Sequence, residues 1–152
     1  MTPGLYVLTG STGGNFGIVG NGVTLDLVCG TWAVPRACNV GDSGGSLGFS
    51  GNGYLNITAP GAGQPNQGLA IVSDRNNKAT LSFGGNGAQT NSGTIYAASG
   101  TLHYNGNGAS GSLNSLIDVG DFDFNGAPPA LVSSYTQSAN VSIPSSGLHL
   151  SQ

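Results

Sequence analysis

The chain has 152 residues, enough for one domain with a hydrophobic core, and 28 of them are glycine. Charged residues make up 6% of the chain and the net charge is −3, so nucleic-acid binding is excluded because three basic side chains cannot neutralise a row of phosphates. No apolar run approaches the length of a membrane span, and no segment has the pattern of a signal peptide.

The residue types favour strands and tight turns. There is no Glu and only one Lys, so strong helix formers are scarce, whereas Gly, Asn, Ser and Thr favour turns. Val, Ile, Tyr, Phe and Thr occur in short bounded runs, which favour strands. The composition predicts an all-β domain, and a hydrophobic content of 38% with low net charge argues against disorder.

The first predicted elements are short strands joined by the triplet Gly-Asn-Gly. The segment "FGIVGNG" spans 16–22, and the strand "VTLDLV" follows at 23–28. Apolar residues two apart place their side chains on one face of a strand. Asn tolerates the left-handed backbone region and Gly adopts it freely, so the triplet is expected to turn the chain.

Two cysteines come next and predict a loop closed by a disulfide. Cys29 and Cys38 flank "GTWAVPRA", and closing about ten residues would stabilise the fold by roughly 2.5–3 kcal/mol on the chain-entropy model. Such bonds persist outside the reducing cytosol. The alternative is a pair of free or buried thiols, and two cysteines are too few for a structural zinc site.

The cysteine loop belongs to the first of two expected insertions, 29–46 and 59–68. It carries two candidate binding residues, Trp32 and Arg36, which are residue types enriched at binding hot spots. Trp32 has two possible roles: it contacts a partner, or it folds down and covers a face of the fold. Either role fits a loop held by a rigid scaffold.

The strand-and-turn unit recurs along the chain, as "LGFSGNG" at 47–53, "LSFGGNG" at 81–87, "LHYNGNG" at 102–108 and a shortened "FDFNG" at 122–126. Counted from Phe16, the spacings are 31, 34, 21 and 20 residues. Recurrence predicts a right-handed parallel β-helix whose interior holds columns of like side chains. The alternative is an antiparallel β-sandwich with Asn-Gly hairpins, which does not explain the repeated unit.

The recurring unit predicts two interior columns. One contains Leu47, Leu81, Leu102 and Phe122, and the next contains Phe49, Phe83, Tyr104 and Phe124. Further strands are expected at "YLNIT" (54–58), "LAIVS" (69–73), "TIYA" (94–97) and "LIDV" (116–119). The chain is expected to form a single domain, 1–152, with coil turns over 1–130 and a cap or tail over 131–152 that covers an open strand edge.

Two polar stretches are weighed as sites. In "SDRNN" (73–77), Asp74 and Arg75 are placed so that they can pair across a turn, and Arg75 is the third candidate binding residue. The stretch is either a contact surface or a structural polar loop, and we favour the loop. In "DVGDFDF" (118–124), Asp121 and Asp123 would point outward together about 7 Å apart, as a carboxylate pair for sugar chemistry does. The alternative is a solvated outer face with Phe122 and Phe124 on the inner face, which we favour because no nearby basic residue completes a lyase site. No catalytic, cofactor-binding or metal-binding residue is assigned.

Several segments in order resemble the C-terminal region of TadG-like proteins, which are linked to tight-adherence (Flp-type) pilus assembly in bacteria. The resemblance is carried by "PGLYVLTG", "GNGVTLDL", "YLNITAP", "IVSDRNN", "GTIYA" and "SLIDVGDFDFNG", which together cover most of residues 3–126. The cysteine loop and the tail after 126 depart from it. The resemblance implies an exported, envelope-associated domain with a structural or adhesive role, and it transfers no catalytic residue.

We therefore expect a non-enzymatic module of the cell envelope or the extracellular surface, without a cofactor. Its expected partners are surface glycans or another envelope or pilus protein, and not nucleic acid. The alternative is a carbohydrate-active β-helix enzyme that uses Asp121 and Asp123, or a glycan-binding module. A groove with converging polar groups would distinguish these classes.

Overall fold

The computed structural model describes residues 1–84, 90–105, 112–125, 132–133 and 136–142. These residues form strands and turns and contain no helix. The strands are β1 Gly4–Leu8, β2 Ser11–Gly14, β3 Gly17–Asn21, β4 Val23–Leu27, β5 Cys29–Thr31, β6 Val34–Arg36, β7 Ser46–Phe49, β8 Tyr54–Thr58, β9 Leu69–Ser73, β10 Thr80–Gly84, β11 Thr90–Ser92, β12 Thr94–Asn105, β13 Ser112–Asn114, β14 Ile117–Asn125 and β15 Val132–Ser133.

Parallel pairing organises these strands into two large sheets. The first sheet has eight strands, and the two long strands β12 and β14 join its two halves. In the first half, β1, β4 and β9 pair in order and lead to the N-terminal parts of β12 and β14. In the second half, β2, β7 and β10 pair in order and lead to the C-terminal parts of the same two strands. The second sheet runs β3–β8–β11–β13–β15. The order of pairing is compatible with a β-solenoid.

The predicted interior columns are confirmed in their register. Leu81 is paired with Leu47 on one side and with Leu102 on the other, and Phe83 is paired with Phe49 and Tyr104 in the same way. The rings of Phe49 and Phe83 are stacked with centroids 6.2 Å apart. The columns continue to β14, where Phe122 is half-buried but Phe124 is 47% exposed. The core is therefore continuous from β7 to β12 and thins at β14.

The first copy of the repeat does not join these columns, contrary to the spacing counted from Phe16. Residues 17–21 form β3 in the second sheet, and the place beside β7 is taken by β2, with Thr12 opposite Leu47. The reason is that the triplet turns two different corners. At 20–22 it leads from β3 to β4, whereas at 51–53 it leads from β7 to β8. The ring of Phe16 still packs against the column of aromatic residues, with its centroid 6.2 Å from that of Phe49.

The sandwich alternative does not fit the pairings. Every pairing within the two large sheets is parallel among the described residues, and the antiparallel pair is the small hairpin of β5 and β6. The triplets at 85–87 and 106–108 lie outside the described residues, as do 143–152 of the predicted cap. Residues 132–133 add β15 beside β13, and Asn140 is buried against the backbone of Asn114 and Leu116.

Candidate functional site

The first insertion forms a hairpin whose base is closed by the predicted disulfide. Cys29 and Cys38 are bonded, with their Cα atoms 5.0 Å apart, which confirms the pairing expected from the sequence. The two arms, β5 and β6, are antiparallel, and Thr31 lies opposite Val34. Gly30 has a φ of +96°, and a Cβ there would collide with the carbonyl oxygen of Val34. The hairpin therefore depends on a glycine in its first arm.

The tip of this hairpin presents apolar side chains to solvent. Trp32 is 90% exposed and Val34 is 67% exposed, and Val40, two residues after Cys38, is 88% exposed. The possibility that Trp32 folds down and covers a face of the fold is therefore wrong. Large exposed apolar side chains on a braced loop are a feature of contact sites.

Arg36, the second candidate binding residue, holds the hairpin together. Its Nη1 lies 3.0 Å from Oδ2 of Asp42 and also donates a hydrogen bond to the carbonyl oxygen of Ala37 at 2.8 Å. The backbone N–H of Asn39 donates to the same carboxylate at 3.0 Å. This N–H, followed by the Arg36 guanidinium, lowers the pKa of Asp42 below its usual range. The first insertion thus contains the counter-ion of Arg36, in the loop that follows the hairpin.

Arg75, the third candidate, is exposed in the turn between β9 and β10. The possible pair with Asp74 does not form, and Asp74 Oδ1 accepts a hydrogen bond from the N–H of Asn76 at 2.9 Å, which caps the turn. The side-chain amide of Asn76 donates to the carbonyl oxygen of Cys38 at 3.0 Å. The structure therefore brings the turn that carries Arg75 against the base of the hairpin.

Asn77, one residue further, is a structural residue that the sequence did not single out. Its buried side-chain oxygen accepts hydrogen bonds from the N–H groups of Gly44, at 2.8 Å, and Ala79, at 3.0 Å. Its side-chain nitrogen donates to the carbonyl oxygens of Gly45, at 2.9 Å, and Leu27, at 3.4 Å. One amide thus fixes the point where the first insertion returns to the sheet.

The acidic pair lies on the outer face of β14, and one of its members has a basic neighbour. His103 Nδ1 lies 2.8 Å from Oδ2 of Asp123, across the β12–β14 pairing. Asp121 is exposed, and its carboxylate accepts a hydrogen bond from the N–H of Phe122. His103 is therefore a basic neighbour of this pair that was not deduced from the sequence. The predicted columns already contained the signal, because His103 follows Leu102 and Asp123 follows Phe122.

A groove of about 720 Å³ lies beside β1 and the second insertion. Its walls contain no charged side chain and consist of Pro3, Gly4, Leu5, Asn21, Gly22, Pro60, Gly61, Gln64, Pro65 and Asn66. Asn66 has a φ of +58°. The volume is in the range of small-molecule sites, and the lining offers amide side chains but no titratable group that could act as an acid, a base or a nucleophile. None of the three candidate binding residues lines it.

Comparison of the chain with protein-family models, curated proteins and solved structures found no match. In the described ranges, no cluster of three or more His, Cys, Asp or Glu side chains could hold a metal ion. Nor does any helix long and apolar enough to cross a membrane occur among the described residues. The functional argument therefore depends on the hairpin, the outer face of β14 and the groove.

Proposed function

We propose that this chain is an exported, non-enzymatic module of the cell envelope or cell surface with a structural or adhesive role. The observation that carries the proposal is the disulfide-closed hairpin, whose tip residue Trp32 is 90% exposed. A disulfide supports an oxidising compartment outside the cytosol. A braced loop that presents Trp on a scaffold of parallel strands supports a role in contact with a partner.

The scaffold of this proposal is a right-handed parallel β-helix. Parallel pairing between strands about 20 residues apart in the chain, such as β10 with β12, supports a coil of that kind. The motifs shared with the C-terminal region of TadG-like proteins support a place in the envelope and a contribution to pilus assembly. Surface glycans and other envelope or pilus proteins are the partners that follow from this proposal.

The test is attachment of the purified domain to intact bacterial cells, compared with Trp32→Ala. Val19→Ala is the matched control, because Val19 is 50% exposed on β3, away from the hairpin. We expect Trp32→Ala to weaken attachment while its stability stays within about 1 kcal/mol of the parent, the usual scale for surface changes. Equal attachment by all three proteins would contradict the proposal.

A second candidate is a carbohydrate-active enzyme, and it is favoured by the contact between His103 and Asp123. A neutral imidazole held by one carboxylate can accept a proton, and Asp121 on the same face supplies a second carboxylate. The test is cleavage of a polysaccharide panel by the parent chain, Asp121→Ala and Asp123→Ala. Cleavage that is lost in both variants would favour the enzyme over the contact module.

A further inference from the structure

We propose that the tip of the hairpin inserts into the interfacial region of a lipid bilayer. This inference deepens the proposed function, and it rests on the hairpin being the contact site of the module. It names lipid, rather than the glycans or proteins considered above, as the partner of the hairpin tip, and it is argued from the apolar side chains, the backbone hydrogen bonds and the charges of residues 29–42.

The first argument is the kind of side chain at the tip. Trp32, in the turn of the hairpin, is 90% exposed, and Val34, at the start of the second arm, is 67% exposed. Trp is enriched at membrane interfaces because its ring is apolar while its N–H can reach polar headgroups. The arms of three residues extend about 10 Å, which is comparable to the depth of about 5–10 Å reached by interfacial segments.

The second argument is the backbone of the hairpin. A polar backbone group without a partner is costly in lipid, so an inserting loop must satisfy its own hydrogen bonds. Pairing of β5 with β6 supplies several of these bonds, and the N–H of Val34 donates to Oγ1 of Thr31 at 3.2 Å. Pro35 has no N–H to satisfy. The second arm therefore brings few unpaired donors into an apolar environment.

The third argument is charge. Arg36 is neutralised by Asp42 within the insertion, and no charged residue lies between 30 and 35. A protein partner usually fixes its orientation through polar contacts, but the hydroxyl of Thr31 and the guanidinium of Arg36 already have partners in this chain. A bilayer needs no such contacts. The same neutrality predicts that anionic lipid is not required.

Trp32 is the only tryptophan of the chain, so its fluorescence reports directly on the tip. The experiment adds phosphatidylcholine vesicles to the disulfide-bonded protein and follows the emission maximum and quenching by aqueous iodide. We expect a blue shift and weaker quenching as lipid is added. We also expect the same response with vesicles that contain phosphatidylserine, because the tip offers no free positive charge.

Val34→Asp retains the reporter but places a charge at the tip, and we expect it to weaken partitioning at least tenfold. Val19→Asp, which introduces the same charge on β3, should bind vesicles as the parent does. Circular dichroism of both variants shows whether they fold. Trp32→Ala lacks the fluorescent reporter, so its binding is measured by co-sedimentation with vesicles, and we expect it to bind less than the parent.

Three outcomes would overturn the inference: an unchanged emission spectrum at millimolar lipid, binding that requires phosphatidylserine, or equal binding by Val34→Asp and the parent. Attachment to cells that depends on Trp32, together with no response to vesicles, would refute lipid as the partner and leave the proposed contact module intact. If the parent protein neither attaches to cells nor responds to vesicles, both the lipid inference and the proposed contact module would be contradicted.

Discussion

At the scale of single residues, three buried asparagines have opposite consequences for stability. Asn77 and Asn140 each place both side-chain atoms in hydrogen bonds with backbone groups distant in sequence. Asn91 is also fully buried, but neither of its side-chain atoms has a partner within the described part of the chain. The free-energy cost of burying the amide is offset by hydrogen bonds at Asn77 and Asn140, whereas at Asn91 it is not offset.

We expect Asn91→Val to stabilise the protein. The change removes an unsatisfied amide from the interior, beside Ile57 of the neighbouring strand, and a buried unsatisfied group costs about 1–3 kcal/mol. Val also suits a strand. Urea unfolding followed by circular dichroism measures the gain. A lower midpoint than that of the parent would show that the amide of Asn91 has a partner.

The opposite result is expected for Asn77→Ala. Loss of this amide leaves the N–H groups of Gly44 and Ala79 without their acceptor and the carbonyl of Gly45 without its donor, so we expect a loss of about 2–4 kcal/mol. Asn52→Ala, at an exposed turn position, is the control and should change stability by less than about 0.5 kcal/mol. Equal melting temperatures for the two variants would contradict the role of Asn77.

A pH-dependent effect is expected at Asp26. Its partial burial, followed by the nearby Asp74 carboxylate, raises the pKa of Asp26 above its usual range. Because the folded-state pKa lies above the unfolded-state value, the ionised carboxylate costs stability above the folded-state pKa, and this cost disappears below the unfolded-state value of about 4.

The corresponding variant is Asp26→Asn, which cannot ionise. We expect it to melt at a higher temperature than the parent at neutral pH and to lose this advantage near about pH 3, where both side chains are neutral. Melting curves of both proteins across this pH range provide the measurement. A gain of the same size at every pH would exclude the carboxylate charge as its cause.

At the scale of the strand, alternation along β10 gives a matched pair of substitutions. Leu81 is 1% exposed between Leu47 and Leu102, whereas the next residue, Ser82, is half-buried on the opposite face. We expect Leu81→Asp to destabilise by more than about 4 kcal/mol, because an unpaired charge would be buried. Ser82→Asp should be tolerated. Thermal unfolding of the two variants measures the difference, and similar melting temperatures would contradict the assigned faces.

The strands also show what the sequence could and could not predict. Leu81, Leu102 and Phe122 were predicted to stack because alternation and spacing are properties of the chain itself. The place of the first copy in the second sheet was not predicted, since one turn triplet serves two corners and only tertiary packing distinguishes them. The buried role of Asn77 could not be predicted either. Asn before a strand is ordinary turn chemistry, and three of its four hydrogen-bond partners, Leu27, Gly44 and Gly45, come from segments far away in the chain.

The features of the proposed contact site were predicted in part. The disulfide and the candidate role of Trp32 followed from residue type and position in an insertion. The ion pair of Arg36 with Asp42 did not, because it depends on how the loop after Cys38 returns. The hydrogen bond between His103 and Asp123 was available from the predicted register but was not deduced.

At the scale of the whole molecule, stability should be graded along the stack. Among the described residues, β1, β2 and β3 each have one paired neighbour, and their side chains are mostly exposed or half-buried. Each of the strands β4 and β7 to β10 is paired on both sides, and most of their inward side chains are buried. In such arrays local opening begins where contacts are fewest.

We therefore expect backbone amides of residues 4–21 to exchange hydrogen for deuterium much faster than those of β9, β10 and β12. Native-state exchange measured by mass spectrometry gives this gradient. The amides of the hairpin provide an internal comparison, because β5 and β6 pair only with each other among the described residues. Uniform protection from β1 to β12 would show that the domain opens as one cooperative unit.

The way the first insertion leaves and rejoins the sheet has a consequence for evolution and for engineering. The N–H of Gly45 donates to the carbonyl of Val28 at 2.8 Å, so the segment between them starts and ends at one point, and the disulfide closes it upon itself. Because β4 and β7 keep their own partners in the sheet, we expect that the segment can be replaced without loss of the parallel scaffold. Lineages could vary it, and a laboratory could graft foreign epitopes there, while the parallel scaffold is inherited unchanged.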